Sequence, residues 1–250
     1  MSFANGNELL ERILPEIGVG GYSAHDGTIE FYGRIRSLTA PRMRILDYGA
    51  GRGAWYEDDP SAYRRDQRLL RGTVAEVIGC DIDHAVLGNR AVDRAFVFQP
   101  GTPLSLDNAS VDIVIADYVL EHIADPAGLA AELARVLKPG GWICARTPTK
   151  YNYVSIAARL VRSARHARWL RVVQPGRKSE DVFPTVYRLN TRASVRRYFP
   201  ASAFEDHSYV YCFEPQYFFG KRVLFRMFQF LHWLLPASMH GNLYIFLCKR

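Results

Sequence analysis

The chain has 250 residues, 48% of them hydrophobic and 23% charged, which is enough apolar content to bury the core of one α/β domain and excludes a disordered chain. Its four cysteines, Cys80, Cys144, Cys212 and Cys248, lie far apart and form no C-x-x-C pair, which excludes a disulfide framework and a cysteine-paired zinc site and fits a reduced, cytoplasmic protein. The formal charge of +7 points to anionic partners, but it is local: residues 150–200 hold twelve Lys or Arg against Glu180 and Asp181, a balance of +10.

Taken in chain order, residues 7–17 read as a short amphipathic helix and residues 26–38 as a second, N-capped by Asp26. No basic segment followed by an apolar stretch precedes them, and no apolar run is long enough to span a bilayer, so a soluble protein is expected. The link GVGGYSAHDG between the two helices carries Tyr22 and His25 and suits a lid over a ligand. Residues 45–53, ILDYGAGRG, are a buried strand that stops at Asp47 and opens into a loop with Gly49, Gly51 and Gly53 at alternate positions. Glycines there leave bare amides for a nucleotide-like ligand at the carboxyl edge of a sheet. The loop alone also satisfies the G-x-G-x-x-A pattern of nicotinamide-dependent oxidoreductases. Asp47 tilts the choice, because a carboxylate repels a pyrophosphate but suits a ligand carrying an ammonium group.

A helix is expected at 61–71 and a second strand at 75–80, closed by Asp81, which is placed to accept hydrogen bonds from ribose hydroxyls; Asp83 suits the cap of a helix from His84. Strands at 95–99 and 111–116 follow, then a Pro-initiated helix at 126–137. KPGG at 138–141 is expected to turn the chain into a fifth strand at 142–146. The strand–helix rhythm predicts a Rossmann-like, doubly wound sheet of seven strands, mostly parallel with one antiparallel member.

Four stretches in order, ILDYGAGRG, VIGCDID, LSLDNASVDIVIADYVLEHIADP and RVLKPGGWICARTP, resemble the class I S-adenosylmethionine-dependent methyltransferases, and most of all their type 11 group. The resemblance covers residues 42–148. It implies S-adenosyl-L-methionine as cofactor, with Asp47, Gly49 and Gly51 around its methionine part, Asp81 at the ribose, and Tyr48, Ala50, Gly53 and Ile82 as further cofactor-binding residues. The family often places an Asp after the third strand for the adenine; Pro100 stands there, leaving Gln99 as the substitute. Asp117, Tyr118 and His122 follow the fourth strand where cofactor and acceptor meet, and are the catalytic candidates, Asp117 being a cofactor-binding candidate as well. Metal-binding relatives carry E-x-x-E-H; Tyr118 occupies the first of those positions, so no metal is expected.

Past residue 148 the resemblance thins and acceptor recognition is expected to begin. Arg159, Arg162, Arg165 and Arg168 form a broad basic surface, and Tyr151, Tyr153, Tyr187 and Arg188 are acceptor-side candidates. Asn190 or Thr191 caps a helix to Phe199, and 204–213 and 242–249 read as the last strands. Between those strands, residues 217–235 form an aromatic-rich helix whose polar arc holds Arg222, Arg226, Gln229 and His232; its apolar remainder suits core or dimer packing, or else a lipid surface. The organisation expected is one domain: a helical lid at 1–40, a cofactor core at 41–148, a basic cap at 149–203, and the last strands with their inserted helix at 204–250.

The function expected is methyl transfer, favouring oxygen, to a small-molecule or glycan-like acceptor, anionic or lipid-linked, in the cytoplasm or at the membrane surface. Its rivals are a non-catalytic binding protein of the same fold and a nicotinamide-dependent oxidoreductase. A nucleic-acid acceptor is not expected, since DYVL stands where an N-P-P-Y tetrapeptide would follow the fourth strand.

Overall fold

The computed structural model describes residues 10–153, 155–156, 185–215 and 221–250. The strands are β1 (Arg44–Tyr48), β2 (Glu76–Asp81), β3 (Arg94–Val97), β4 (Val111–Asp117), β5 (Leu137–Pro148), β6 (Phe204–Asp206), β7 (Tyr209–Tyr211) and β8 (Asn242–Lys249). They form one sheet in the order β3-β2-β1-β4-β5-β8-β6, with β7 also on β8. β1 to β5 are parallel, and β8 runs antiparallel to its neighbours. Strand order reverses between β1 and β4, so a crevice opens outside their carboxyl ends, where Asp47 and Asp117 stand.

Alternating side chains give the sheet two buried faces. Leu46, Ile78, Val114, Ile143 and Ala145 join one cluster, and Ile45, Val77, Ile113 and Cys144 join the other. Helix α1 (Gly27–Leu38) covers the second face through Phe31, Tyr32 and Ile35. It begins as the sequence implies, with Asp26 accepting from the amides of Thr28 at 2.9 Å and Ile29 at 3.0 Å. A one-turn helix α2 (Trp55–Asp58) and helix α3 (Ala62–Arg68) follow the glycine loop. Arg36 of α1 donates to the Gln67 and Leu69 carbonyls at the end of α3 at 2.9 and 2.8 Å, satisfying acceptors the helix leaves open. Helix α4 (Pro126–Val136) buries Leu129, Ala130 and Leu133.

Several expectations change in detail. KPGG does not turn the chain before the fifth strand but lies inside β5, which runs from Leu137 beside a register shift between Val111 and Ile113. The motif has a mechanical reason: Lys138 Nζ holds both Asp112 carboxylate oxygens at 2.9 Å, and a Cβ at Gly141 would meet the Asp112 carbonyl at 2.8 Å. After Asp83 there is a 3-10 turn, His84–Gly88, rather than an α-helix, capped by Asp83 as expected. The strand at 204–213 is interrupted because Asp206 captures the Ser208 amide at 2.9 Å, yet β6 and β7 keep one register on β8. The first helix is helical at residues 10–13 and continues as a 3-10 turn, Pro15–Gly18. Helix α5 (Arg192–Tyr198) starts at Thr191 in a reciprocal cap with Ser194, and helix α6 (Arg222–Leu234) begins later than the pattern implied. The arginines at 159–168 and positions 217–220 lie outside the described residues.

Because Gly141 lets β4 and β5 approach across the shift, Gly141→Ala is expected to lower stability by about 1–3 kcal/mol in urea unfolding, with Lys138→Met costing less.

Candidate active site

At the carboxyl end of β1 the chain enters the glycine loop with positive φ at Gly49 (76°), Gly51 (53°) and Gly53 (69°). A Cβ at Gly49 would lie 2.4 Å from a Val119 methyl, and one at Gly53 would lie 2.2 Å from Asn89 Oδ1, whereas at Gly51 it would enter open space. The first and third glycines therefore serve packing, and the second leaves room for a ligand. The Gly49 and Ala50 amides donate to the Cys80 carbonyl at 2.7 and 3.1 Å, and buried Asn89 donates to the Ala50 and Gly51 carbonyls at 3.1 Å. Asp81 accepts from the Gly51 amide at 2.9 Å and the Asp83 amide at 3.0 Å, so it holds loop and following turn in register while keeping further acceptor capacity.

Asp47 is the carboxylate of β1 that faces this edge. Burial pushes its pKa up to about 7, helped by the charges of Asp117 and Asp81 and opposed by Arg68. An acid held there is primed for a cationic partner. The Tyr48 ring is buried against Phe98 at 5.1 Å, so the part of this residue that belongs to the loop is its backbone. Ile82 is exposed beyond Asp81, and Gln99 is exposed with its carbonyl taken by Thr102 in a tight turn.

Asp117 is engaged rather than free. Arg146 Nε and Nη2 donate to its two oxygens at 2.5 and 2.9 Å, Tyr32 donates at 3.1 Å and Arg68 at 3.2 Å. Burial opposes the carboxylate's charge, but the two guanidiniums and the phenol outweigh it and hold its pKa below the ordinary range. Arg146 is 3% exposed, reaches Thr28 Oγ1 at 3.1 Å and lies over the rings of Tyr118 at 4.8 Å and Phe31 at 5.1 Å. Arg68 lies over Trp55 at 4.4 Å, and its buried Nε has no hydrogen-bond partner among the described residues. Tyr118 adopts φ 58°, a costly conformation for a bulky residue, and its hydroxyl accepts from Asn242 at 2.6 Å.

A cavity of about 410 Å³ adjoins this cluster, lined by Tyr118, Arg146 and Thr28 together with Tyr22, His25 and Glu214. Its outer wall is fastened: Ser61 donates to the Gly20 carbonyl at 3.0 Å, Arg64 bridges Asp26 and Asp59 at 2.6 Å, and Ser23 donates to Glu214 at 2.9 Å. The 20–26 link is thus pinned to α3 on one side and to the segment after β7 on the other. Of the acceptor-side residues expected from sequence, Tyr22 and His25 reach this cavity.

The others have local tasks. Tyr153 stacks on Phe228 at 5.5 Å and its hydroxyl lies 3.3 Å from His232 Nε2, where burial and His240 push the imidazole down to about 4. Tyr187 is buried, Arg188 donates to the Ala124 carbonyl at 2.6 Å, and Tyr151 is exposed. Glu121 is turned inward to accept from Thr147 at 2.8 Å, and Thr147 accepts from Asn190 at 2.6 Å; this braces the loop after β4, which also carries His122. Sequence reasoning missed Arg146 and Arg68. The signal for Arg146 is present in WICARTP: an arginine within an apolar central strand demands a buried counter-ion.

A doubly wound sheet with a glycine loop after β1, an acid closing β2 and a crevice at the order reversal defines the α/β class that binds nucleotide cofactors at its carboxyl edge. A protein-family model described as a methyltransferase domain matches residues 24–205, and the chain belongs to that family. A probable S-adenosylmethionine-dependent methyltransferase of Mycolicibacterium smegmatis is 31% identical over 146 residues, covering 57% of this chain and 52% of the relative. A ubiquinone biosynthesis O-methyltransferase of Thiobacillus denitrificans is 29% identical over 111 residues, 40% of this chain and 42% of that one. The chain thus spans about half the length of the curated relatives it matches. Among solved structures, the [4+2]-cyclase SpnF superposes with TM-score 0.53 at 18% identity, covering 88% of this chain and 80% of that one. An S-adenosylmethionine-dependent methyltransferase from Methanosarcina mazei superposes with TM-score 0.51 at 15% identity over 87% of this chain and 96% of that one. Both likenesses concern the fold. S-adenosyl-L-methionine is the cofactor of this family, and open Gly51, acidic Asp47 and Asp81 at the end of β2 fit it.

Arg146→Met leaves the buried Asp117 carboxylate with only the Tyr32 hydroxyl and Arg68 at one of its oxygens and is expected to cost about 3–5 kcal/mol in chemical unfolding. Asp117→Leu combined with Arg146→Met removes both charges and is expected to cost less than Arg146→Met alone.

Proposed function

We propose that this chain transfers the methyl group of S-adenosylmethionine to an oxygen of a small-molecule acceptor held in the cavity lined by Tyr118, Arg146, Tyr22 and His25. The observation that carries the reading is that the Asp47 and glycine-loop edge and this cavity meet at one charge cluster, Asp117–Arg146–Arg68. The ubiquinone-biosynthesis relative, whose name specifies O-methylation, supports oxygen as the acceptor atom.

Asp47 would hold the cofactor's ammonium, its chain would lie in the open space beside Gly51, and Asp81 would accept from its ribose. Arg68, cationic and with an unsatisfied Nε beside Asp47, complements the carboxylate of the same amino-acid end. When bound, the cofactor supplies a sulfonium methyl with a good leaving group. The chain's part is positioning and exclusion of water. Asp117 acts as a positioning residue, because both of its oxygens are engaged; it fixes Arg146, which faces the acceptor with Tyr118. For a hydroxyl acceptor, His25 on the cavity wall is the candidate proton acceptor, ahead of His122, which is not among the residues lining that cavity. Arg146 in the wall favours an acceptor with an anionic or electron-rich group.

The sign of the pH dependence follows from Asp47. Its folded-state pKa is raised, so the unliganded protein carries an extra proton below about 7, and a cationic ligand must displace it. Isothermal titration is expected to show S-adenosylmethionine and S-adenosylhomocysteine binding, with affinity rising from pH 6 to pH 8. Asp47→Asn is expected to weaken binding and flatten that rise, and Asp81→Ala to weaken both ligands at least about tenfold. No binding by the unaltered protein would overturn the reading.

A further inference from the structure

We propose that the outward face of α6 docks on an anionic lipid surface. The inward face of this helix is accounted for: Phe225 is buried with Ile13, Leu10, Leu14 and Leu224, Phe228 stacks on Tyr153, and His232 meets Tyr153 and His240. His232 thus leaves the polar arc read from the sequence. What remains outward is apolar. Val223, Met227, Phe230 and Leu234 follow the spacing of one helical face and are 80%, 45%, 60% and 64% exposed, with Trp233 beside them at 79%. A folded domain gains nothing by holding five large apolar side chains in water on one stripe unless something else receives them.

The charge around the stripe selects the occupant. Lys221, Arg222 and Arg226 are exposed at its N-terminal half, and residues 221–235 contain no Asp or Glu. Arg226 bonds only to the neutral Gln229 side chain, at 2.8 Å, among the described residues. A second copy of the chain, meeting this stripe with its own, would bring no Asp or Glu of α6 to neutralise Lys221, Arg222 and Arg226. An anionic lipid surface neutralises them while its interfacial region takes Phe230 and Trp233, side chains suited to headgroup depth. No helix among the described residues is long and apolar enough to cross a membrane, so the contact is with the surface.

Leu10 and Leu14 pack with Phe225 in the cluster beneath α6 and also line the 410 Å³ cavity, so α6 lies between that cavity and the surface on which it docks. The docking itself stands apart from the methyl-transfer reading, since none of the α6 residues in the stripe lines the cavity.

Co-sedimentation of the full chain with vesicles of phosphatidylcholine, alone or with about one third phosphatidylglycerol, tests this. Expected are partition at least tenfold stronger onto the anionic vesicles, and a loss of at least tenfold in Phe230→Ser/Trp233→Ser and in Arg222→Glu/Arg226→Glu. All four side chains are exposed, so an unchanged melting temperature should accompany the loss. Equal or absent partition of the unaltered protein overturns the proposal, as does binding by Phe230→Ser/Trp233→Ser at the original strength. A dimer in gel filtration that Phe230→Ser/Trp233→Ser dissociates, without vesicle binding, would make a second copy the occupant.

Discussion

The buried pair of Asp117 and Arg146 is the constraint on which the carboxyl edge of this sheet depends. Two charges taken out of water are tolerated only with close geometry and satisfied remaining atoms, and here Tyr32, Arg68 and Thr28 supply those partners. The partners come from α1, α3 and the ends of β4 and β5. One ion pair therefore ties the N-terminal helix and the insertion after the glycine loop to the crevice between β1 and β4. The strain at Tyr118 belongs to the same arrangement, since its amide bonds to the Arg146 carbonyl at 3.0 Å and its ring lies against the guanidinium.

Charge then divides the edge into two compartments. On the side of Asp47 and Asp81 the carboxylates leave unspent acceptor capacity and suit a ligand with an ammonium group and hydroxyls. On the side of Tyr118 and Arg146 the wall is aromatic and carries both signs of charge, Arg64 and Arg146 with Asp26 and Glu214, and His25 lies among them. A sulfonium donor facing one compartment and an oxygen acceptor in the other is the division of labour that methyl transfer by positioning requires. The likeness of the fold to a [4+2]-cyclase is a reminder that such a sheet hosts more than one chemistry, so the side chains at the edge carry the functional argument rather than the topology.

Much of this was legible in the sequence, for identifiable reasons. ILDYGAGRG and VIGCDID place chemistry at strand ends by local pattern alone, and the structure puts the glycine loop and Asp81 at those ends, joined through the Gly51 amide. Asp26, Asp83 and Thr191 are caps, which depend on neighbours two or three residues away. What was not legible depends on distant contacts. Asp117 is legible as a residue at the end of the fourth strand, but not as one engaged by arginines 29 and 49 residues away. Tyr153, Tyr187 and Arg188 are acceptor-side candidates by sequence, but an aromatic or arginine beside a loop does not reveal its neighbours: Tyr153 packs on Phe228 and Arg188 donates to the Ala124 carbonyl. KPGG read as a turn because Gly140 at φ 74° and Gly141 signal one, whereas here they admit a bulge beside Asp112.

We propose that the acidic compartment holds the cofactor with its sulfur toward the cavity of Tyr118 and Arg146. The most direct test is a crystal structure of the protein grown with S-adenosylhomocysteine. Expected are the amino group at Asp47, the ribose hydroxyls at Asp81 and the sulfur facing Tyr118. A ligand bound elsewhere, or one whose sulfur faces away from that cavity, would contradict it.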